Sequence, residues 1–172
     1  MADTFTTSLS IRQIETGTRS GTWGTETNTQ YQLLDNAFSY VNHELSSDAD
    51  ATLTISDGAA SDARYMFIKF TSAVSLTATR TITLAPDDSS KLWIVDNATT
   101  GGQSLTFKQG SSGATITVAN GSTMAIYADG AGATNGAIID ALNNLNVTGV
   151  LTIGDASAAT TGKAIAMALV FG

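Results

Sequence analysis

Residues 97–130, NATTGGQSLTFKQGSSGATITVANGSTMAIYADG, constrain the fold more than any other part of the chain. They form short stretches of period two broken by glycine-rich turns. Residues 105–108 read as one strand. In the next, Ile116 and Val118 point to one side while Thr115 and Thr117 point to the other, the pattern of a half-buried strand. Asn120-Gly121 then predicts a two-residue hairpin, because a type I′ turn needs positive φ at both central positions. Residues 122–127 are the returning strand. Such a run is built to pack and to be stiff, and no residue in it is committed to chemistry. Charged residues make up 13% of the chain, about half the ~25% usual for soluble domains, and Thr, Ser, Asn and Gly fill the polar positions. Thr suits a pleated surface and Gly and Asn suit turns, so the exchange favours strands over solvated helices. A surface poor in charge also tolerates close contact with other protein.

The remaining pattern extends this reading in both directions. Residues 1–22 are a polar arm anchored by Phe5, Leu9, Ile11 and Ile14, with Leu9 and Ile11 alternating as in a short strand. From 25 to 45 the period lengthens: Tyr31, Leu34, Phe38, Val41 and Leu45 fall three or four apart, on one face of a predicted helix. Thr25 or Thr27 is the expected N-cap, and Glu26 suits the positive helix end. Trp23 lies between Gly21 and Gly24 and is expected to fold over the helix start as a structural staple. Alternating pairs follow at Leu53 and Ile55, Val74 and Leu76, and Ile82 and Leu84, with denser apolar strands at 65–70 and 92–95. Pro86, the only proline, belongs in a turn or at an edge. Turn signals every 8–12 residues without long helices predict an antiparallel β-sandwich or barrel-like domain with one N-terminal amphipathic helix and extended termini. Residues 130–136 read as a flexible connector, and Ile138, Leu142 and Leu145 as two helical turns. Residues 147–153 return to alternation. At the C-terminal end Ile165, Met167, Leu169 and Phe171 alternate with Ala164, Ala166, Ala168 and Val170, a strand with one large and one small apolar face, expected to serve assembly.

Several functional classes are disfavoured. The formal net charge is −7, and the eight Lys and Arg residues are scattered singly, whereas nucleic-acid grooves need them clustered. There is no Cys, hence no disulfide or thiolate metal site, and no cofactor is implied. The N-terminus carries no apolar stretch of a secretory signal, and no run approaches the ~20 residues of a membrane helix. Asn97-Ala-Thr, Asn120-Gly-Ser and Asn146-Val-Thr are read as chance glycosylation matches in a Thr-rich chain. His43, the one histidine, is placed near the predicted helix C-terminus, where a cation suits the dipole. The pairs Asp48 with Asp50, Asp57 with Asp62 and Asp87 with Asp88 all sit in predicted turns, where Asp serves backbone hydrogen bonds. Gly130-x-Gly132 lacks the third glycine spacing and the βαβ unit of a dinucleotide loop. The sequence is thus read as non-enzymatic.

The succession of motifs carries a resemblance. Glu15-Thr-Gly17, Gly21-Thr-Trp-Gly24, Asn28 and Leu33-Leu34-Asp35 are followed by Asp48-Ala-Asp50-Ala-Thr-Leu-Thr, Gly58-Ala-Ala-Ser-Asp-Ala-Arg64-Tyr, Asn97-Ala-Thr-Thr-Gly-Gly102 and Val118-Ala-Asn-Gly121. Over residues 10–130 this order resembles tail-fibre-like and appendage structural proteins of tailed bacteriophages. The resemblance implies a virion protein, assembled in the host cytoplasm as a homotrimer and attached to other virion proteins of tail or capsid, as a tail fibre or a capsid decoration. It supplies no catalytic motif. On this reading residues 1–46 are an attachment arm and helix, 47–130 the antiparallel β domain, and 131–172 a connector and assembly segment. Residues 147–154 resemble a single shaft-type repeat. The interaction candidates are Trp23, Tyr31, Phe38, Ile165, Met167, Leu169 and Phe171. Two alternatives are a host-surface carbohydrate-binding module, with Trp23, Tyr65, Trp93 or Tyr127 stacking on sugars, and a polysaccharide depolymerase with carboxylates across a cleft.

Overall fold

The computed structural model describes residues 3–143, 152–153 and 156–157. The described residues are mainly β, in mixed sheets, with no closed barrel among them. Two compact units divide the chain, Met1–Leu142 and Asn143–Gly172. Of the second, the short antiparallel pair Thr152–Ile153 with Ala156–Ser157 is described. The strand expected at 163–172 and the shaft-type repeat expected at 147–154 lie outside the described residues, apart from Thr152 and Ile153.

In the first unit a small hairpin, β1 (Thr4–Phe5) and β2 (Arg12–Gln13), precedes helix α1 (Trp23–Ala37). Strands β3 (Tyr40–Leu45), β4 (Ala51–Thr54), β5 (Phe67–Ser72), β6 (Arg80–Ala85), β7 (Ser90–Asn97), β8 (Leu105–Lys108), β9 (Ile116–Val118), β10 (Thr123–Asp129) and β11 (Ile138–Asp140) follow, with a one-turn helix α2 (Gly132–Asn135) between the last two. The first sheet has the order β11-β10-β7-β5-β3 and the second β4-β6-β8-β9. From β3 to β8 successive strands alternate between the sheets, so each strand pairs in parallel with the one two places away. The chain is therefore wound around a common core, and antiparallel pairing enters only where β9, β10 and β11 close the two sheets. In the first sheet Tyr40 pairs with Phe67 and Phe67 with Ile94, a step of 27 residues each time.

This corrects the antiparallel expectation. Of the alternating apolar positions, Leu53, Ile55, Ile82, Leu84 and Val118 face inward; they belong to one buried cluster with Ile68, Phe70, Trp93, Val95, Leu105, Phe107 and Ile126. The neighbour of each strand is decided by nonlocal packing. The Phe70 ring of the first sheet meets Phe107 of the second edge-on at 5.3 Å, so the sheets share this core. Asn120-Gly121 makes no hairpin: β9 and β10 lie in different sheets, and only Gly121 of the pair has positive φ (73°). The turn carries the chain from one sheet to the other.

Further expectations are corrected. The predicted helix 25–45 ends at Ala37, where the Ser39 hydroxyl donates to the Asp35 and Asn36 carbonyls, and residues 40–45 are β3. Its N-cap is Thr22, in place of Thr25 or Thr27. The residues it buries are Gln30, Leu33, Asn36 and Ala37, while Tyr31, Leu34 and Phe38 face solvent. Val74 and Leu76 form no strand; Leu76 inserts into the core from a loop. Residues 138–140 are a strand, because Ile138 is wholly buried and the backbone pairs with β10. The segment 130–136 is a tight element: Ser111 and Ser112 donate to the Ala133 and Thr134 carbonyls, and a Cβ at Gly113 would strike the Gly136 carbonyl. Sheet pairing also joins residues on both sides of positions 46 and 130, since β3 pairs with β5 and β11 with β10.

The arm is fastened to one end of the winding. Arg64, fully buried in a 3-10 turn (Asp62–Arg64), donates to the carbonyls of Leu9, Ser56 and Ala59. Ser89 Oγ donates to the Ser8 carbonyl at 2.6 Å, and Gly58 N to that of Ser10. Arg12 pairs with Glu26 of α1 and Arg19 with Asp3. Arm, helix and two loops of successive windings are thus tied together.

Candidate functional site

The two sheets present opposite chemistries to solvent. On the second, Thr52, Thr83 and Lys108 are aligned across three parallel strands, beside the row Thr81, Thr106 and Thr117. The Thr106 and Thr117 hydroxyls are 3.0 Å apart. A shallow open depression of about 250 Å³ lies here, lined by Asp50, Ala51, Thr52, Thr81, Thr83 and Lys108. A second, of about 230 Å³, runs from His43 to Thr52 along the connection between β3 and β4.

On the first sheet the outward positions form an apolar band. Tyr40, Phe67, Ile94 and Ala125 occupy one row across β3, β5, β7 and β10. Leu92, Tyr127 and Ile139 form a second row across β7, β10 and β11. The Tyr40 and Phe67 rings are 5.5 Å apart. Tyr40, Leu92 and Tyr127 are 54%, 44% and 37% exposed, and Phe38, two residues before Tyr40, is 72% exposed. Next to the band lies a polar row of Asn42, Lys69, Asp96 and Thr123.

Several titratable groups are occupied with structure. Asp48 accepts from Arg80 and from the Thr77 hydroxyl and amide; these bonds, the Arg80 one foremost, lower its pKa to about 2. Asp50 accepts from the Thr81 amide. Asp129 accepts from the Ala137 and Ala131 amides, which depress its pKa. His43 stands on β3, not at a helix end; its Nδ1 lies 2.7 Å from Asp62 and its ring meets Phe70 edge-on. Burial, reinforced by the neighbouring Arg64 charge, lowers Lys91 to about 8; its ammonium lies over the Trp93 ring and donates to the Tyr65 carbonyl. Among the described residues no group of three or more His, Asp or Glu gathers in the manner of a metal site.

Of the sequence candidates, Trp23, Tyr31 and Phe38 are exposed, at 63%, 65% and 72%. Trp23 is therefore no staple: its indole is largely in water, because the helix turns its Leu33 side to the protein. Ile165, Met167, Leu169 and Phe171 lie outside the described residues. Trp93 is removed as a sugar platform, being 1% exposed with its indole N–H on the Ala63 carbonyl. Asn97 is buried with its amide nitrogen donating to the Gln103 and Val118 carbonyls, which leaves it closed to glycosylation. Sequence reasoning did not single out the outer band, although its signal was present: apolar residues recur at 40, 67 and 94, and β5 and β7 are apolar on both faces.

No protein-family model matches the chain, and neither a curated protein nor a solved structure matches it.

Proposed function

We propose that this chain is a structural subunit of a tailed-bacteriophage virion, a tail-fibre-like protein or other appendage that assembles as a homotrimer and docks to tail or capsid. The observation that carries this reading is the ordered series of motifs over residues 10–130. The mainly β fold in mixed sheets, with the arm tied across its loops, is compatible with it. The charge-poor composition and the exposed apolar band support oligomerisation, because a lone copy leaves that band in water. Residues 163–172 are the expected assembly strand. The decisive experiment is to raise antibodies to the purified chain and image them on purified particles. Labelling at a tail or capsid appendage supports the reading; absence of the chain from particles refutes it.

A second reading, recognition of a host-surface glycan, draws on the hydroxyl-lined second sheet and on the exposed Trp23 and Tyr31. Saturable binding of a surface polysaccharide, lost on Trp23→Ala or Thr83→Ala, is its test. A depolymerase draws no support from Asp48, Asp50, Asp62 or Asp129, each of which is engaged with Arg80, a backbone amide or the His43 ring.

A further inference from the structure

We infer that the apolar band on the outer face of the first sheet is the surface through which copies of this chain meet. The inference rests on the oligomer reading above and names its contact surface.

The band is ordered. Tyr40, Phe67, Ile94 and Ala125 are held by strand pairing at the ~4.8 Å spacing of a sheet, with Leu92, Tyr127 and Ile139 in the adjoining row. Ring-on-ring contact between Tyr40 and Phe67 stiffens one end. With residue areas on the order of 200 Å², Phe38, Tyr40, Leu92 and Tyr127 together expose roughly 400 Å². The half-buried Phe67, Ile94 and Ile139 bring this to roughly 500 Å². That lies toward the top of the ~300–600 Å² found for the largest patch on a monomer. It is about two-thirds of the ~800 Å² that each partner gives to a stable protein interface. The adjoining row of Asn42, Lys69, Asp96 and Thr123 supplies the remainder as a polar rim.

Charge selects the occupant. Each copy carries a formal charge of −7, so copies repel over most of their surface, and the band itself contains no ionisable carboxylate or amine. The rim beside it pairs Lys69 with Asp96 across neighbouring strands. In a homotrimer, whose contacts repeat head to tail around the ring, the Lys69 side of one copy's rim can meet the Asp96 side of the next. A sugar would instead require amides and carboxylates converging among the aromatics; Asn42 and Asp96 stand in the adjoining row engaged with the Thr71 and Thr123 hydroxyls, and the band itself offers only the two tyrosine hydroxyls. An anionic membrane would require a basic rim, and Lys69 stands alone in its row.

The natural chain has no cysteine, which makes one introduced thiol a clean reporter. Leu92→Cys should form a disulfide-linked dimer on mild oxidation at micromolar concentration. Thr83→Cys, on the outer face of the second sheet, should not. In sedimentation equilibrium, Leu92→Glu with Tyr127→Glu should raise the dissociation constant on the order of 100-fold or more while the thermal melt stays cooperative. A wild-type chain that stays at the mass of one copy overturns the oligomer reading and this inference together. A wild-type oligomer that keeps its mass in the double variant, with no Leu92→Cys cross-link, overturns only the inference and leaves oligomerisation to another surface. If the double variant fails to fold, the Leu92→Cys result decides. Saturable capture of a surface polysaccharide, lost in the double variant without change in mass, would overturn it in favour of a sugar platform.

Discussion

Asn97 offers the sharpest test of the winding, because its side chain joins pieces of backbone that only this topology brings together. It closes β7 and is 1% exposed. Its amide nitrogen donates to the carbonyls of Gln103 at 3.0 Å and Val118 at 3.1 Å, and its amide oxygen accepts from the Thr99 hydroxyl at 2.7 Å and the Thr99 amide at 3.3 Å. Both donors and both acceptor positions are used. Asn97→Ala strands these partners. A net hydrogen bond contributes about 1 kcal/mol, and an orphaned buried group costs about 1–3 kcal/mol. Some of the groups regain water through the exposed loop at Thr100 and Gly101, so we expect a loss of about 3–4 kcal/mol, or about 10 °C in Tm for a unit of this size. Asn97→Asp keeps the shape but aims a carboxylate oxygen at two carbonyls. The folded-state pKa of that carboxyl must therefore rise above its unfolded value of about 3.9. The native state then holds a proton that the unfolded chain releases, so stability falls as pH rises from about 4 toward the folded pKa, by up to ~1.4 kcal/mol per unit. Urea denaturation of wild type and both variants at pH 4 and pH 7 measures this. A loss below about 1 kcal/mol for Asn97→Ala, or an Asn97→Asp variant no more destabilised at pH 7 than at pH 4, would refute the hub.

Three other expectations are independent of that site. Arg64→Met removes the charged donor from the Leu9, Ser56 and Ala59 carbonyls, so it should cost about 2–5 kcal/mol and make residues 3–20 an early protease target; unchanged proteolysis would disprove the clasp. Trp23→Ala should change stability by less than about 1 kcal/mol, since the indole is 63% exposed, and a loss of several kcal/mol in thermal melting would restore the staple. Asp48, whose folded pKa is depressed from 3.8 to about 2, contributes stability above pH 4 that is lost as pH falls through 2; Asp48→Asn should flatten that part of the acid unfolding curve, and an unaltered curve would rule the Arg80 contact out as its source.

Most strands between 51 and 127 are legible in the sequence, whereas β3, β11 and the neighbour of each strand are not. The inward side of Leu53, Ile55, Ile82, Leu84 and Val118 is read from alternation alone, a pattern that is the same whether a strand's partner is parallel or antiparallel. Asn120-Gly121 was misleading for a related reason: a turn dipeptide reports that the chain reverses, and here it reverses into the opposite sheet. The overlong helix came from Phe38, Val41 and Leu45. A spacing of four is shared by the helical period and the strand period, so Val41 and Leu45 fit both, and the parallel pairing with β5 decides between them. Trp23 was misplaced because two flanking glycines permit a fold-back without compelling one. Which side of α1 is buried depends on the arm, through Gln30 and Glu26 on Arg12, and that contact has no local signature.

The outer band shows what a winding adds to single-residue chemistry. Isolated outward apolar residues are ordinary on any surface. In a hairpin-built sheet residues a constant step apart do not line up across the strands, because antiparallel partners run in opposite directions. Because each winding returns after 27 residues, the same outward position recurs in register, and three separate choices of an apolar residue become one continuous strip. The antiparallel closing strands extend it, placing Ala125 beside Ile94 and Tyr127 beside Leu92. Inward residues at neighbouring positions, Ile68, Val95 and Ile126, already supply the core, so the outward apolar row is not needed to fold the unit. On the proposed assembly, an apolar residue at this position of three successive strands of the sheet is what a contact between copies requires. A single charged substitution, Ile94→Lys, should therefore weaken self-association far more than it lowers the melting temperature. If both fall in proportion in sedimentation and melting measurements, the strip is serving the fold alone.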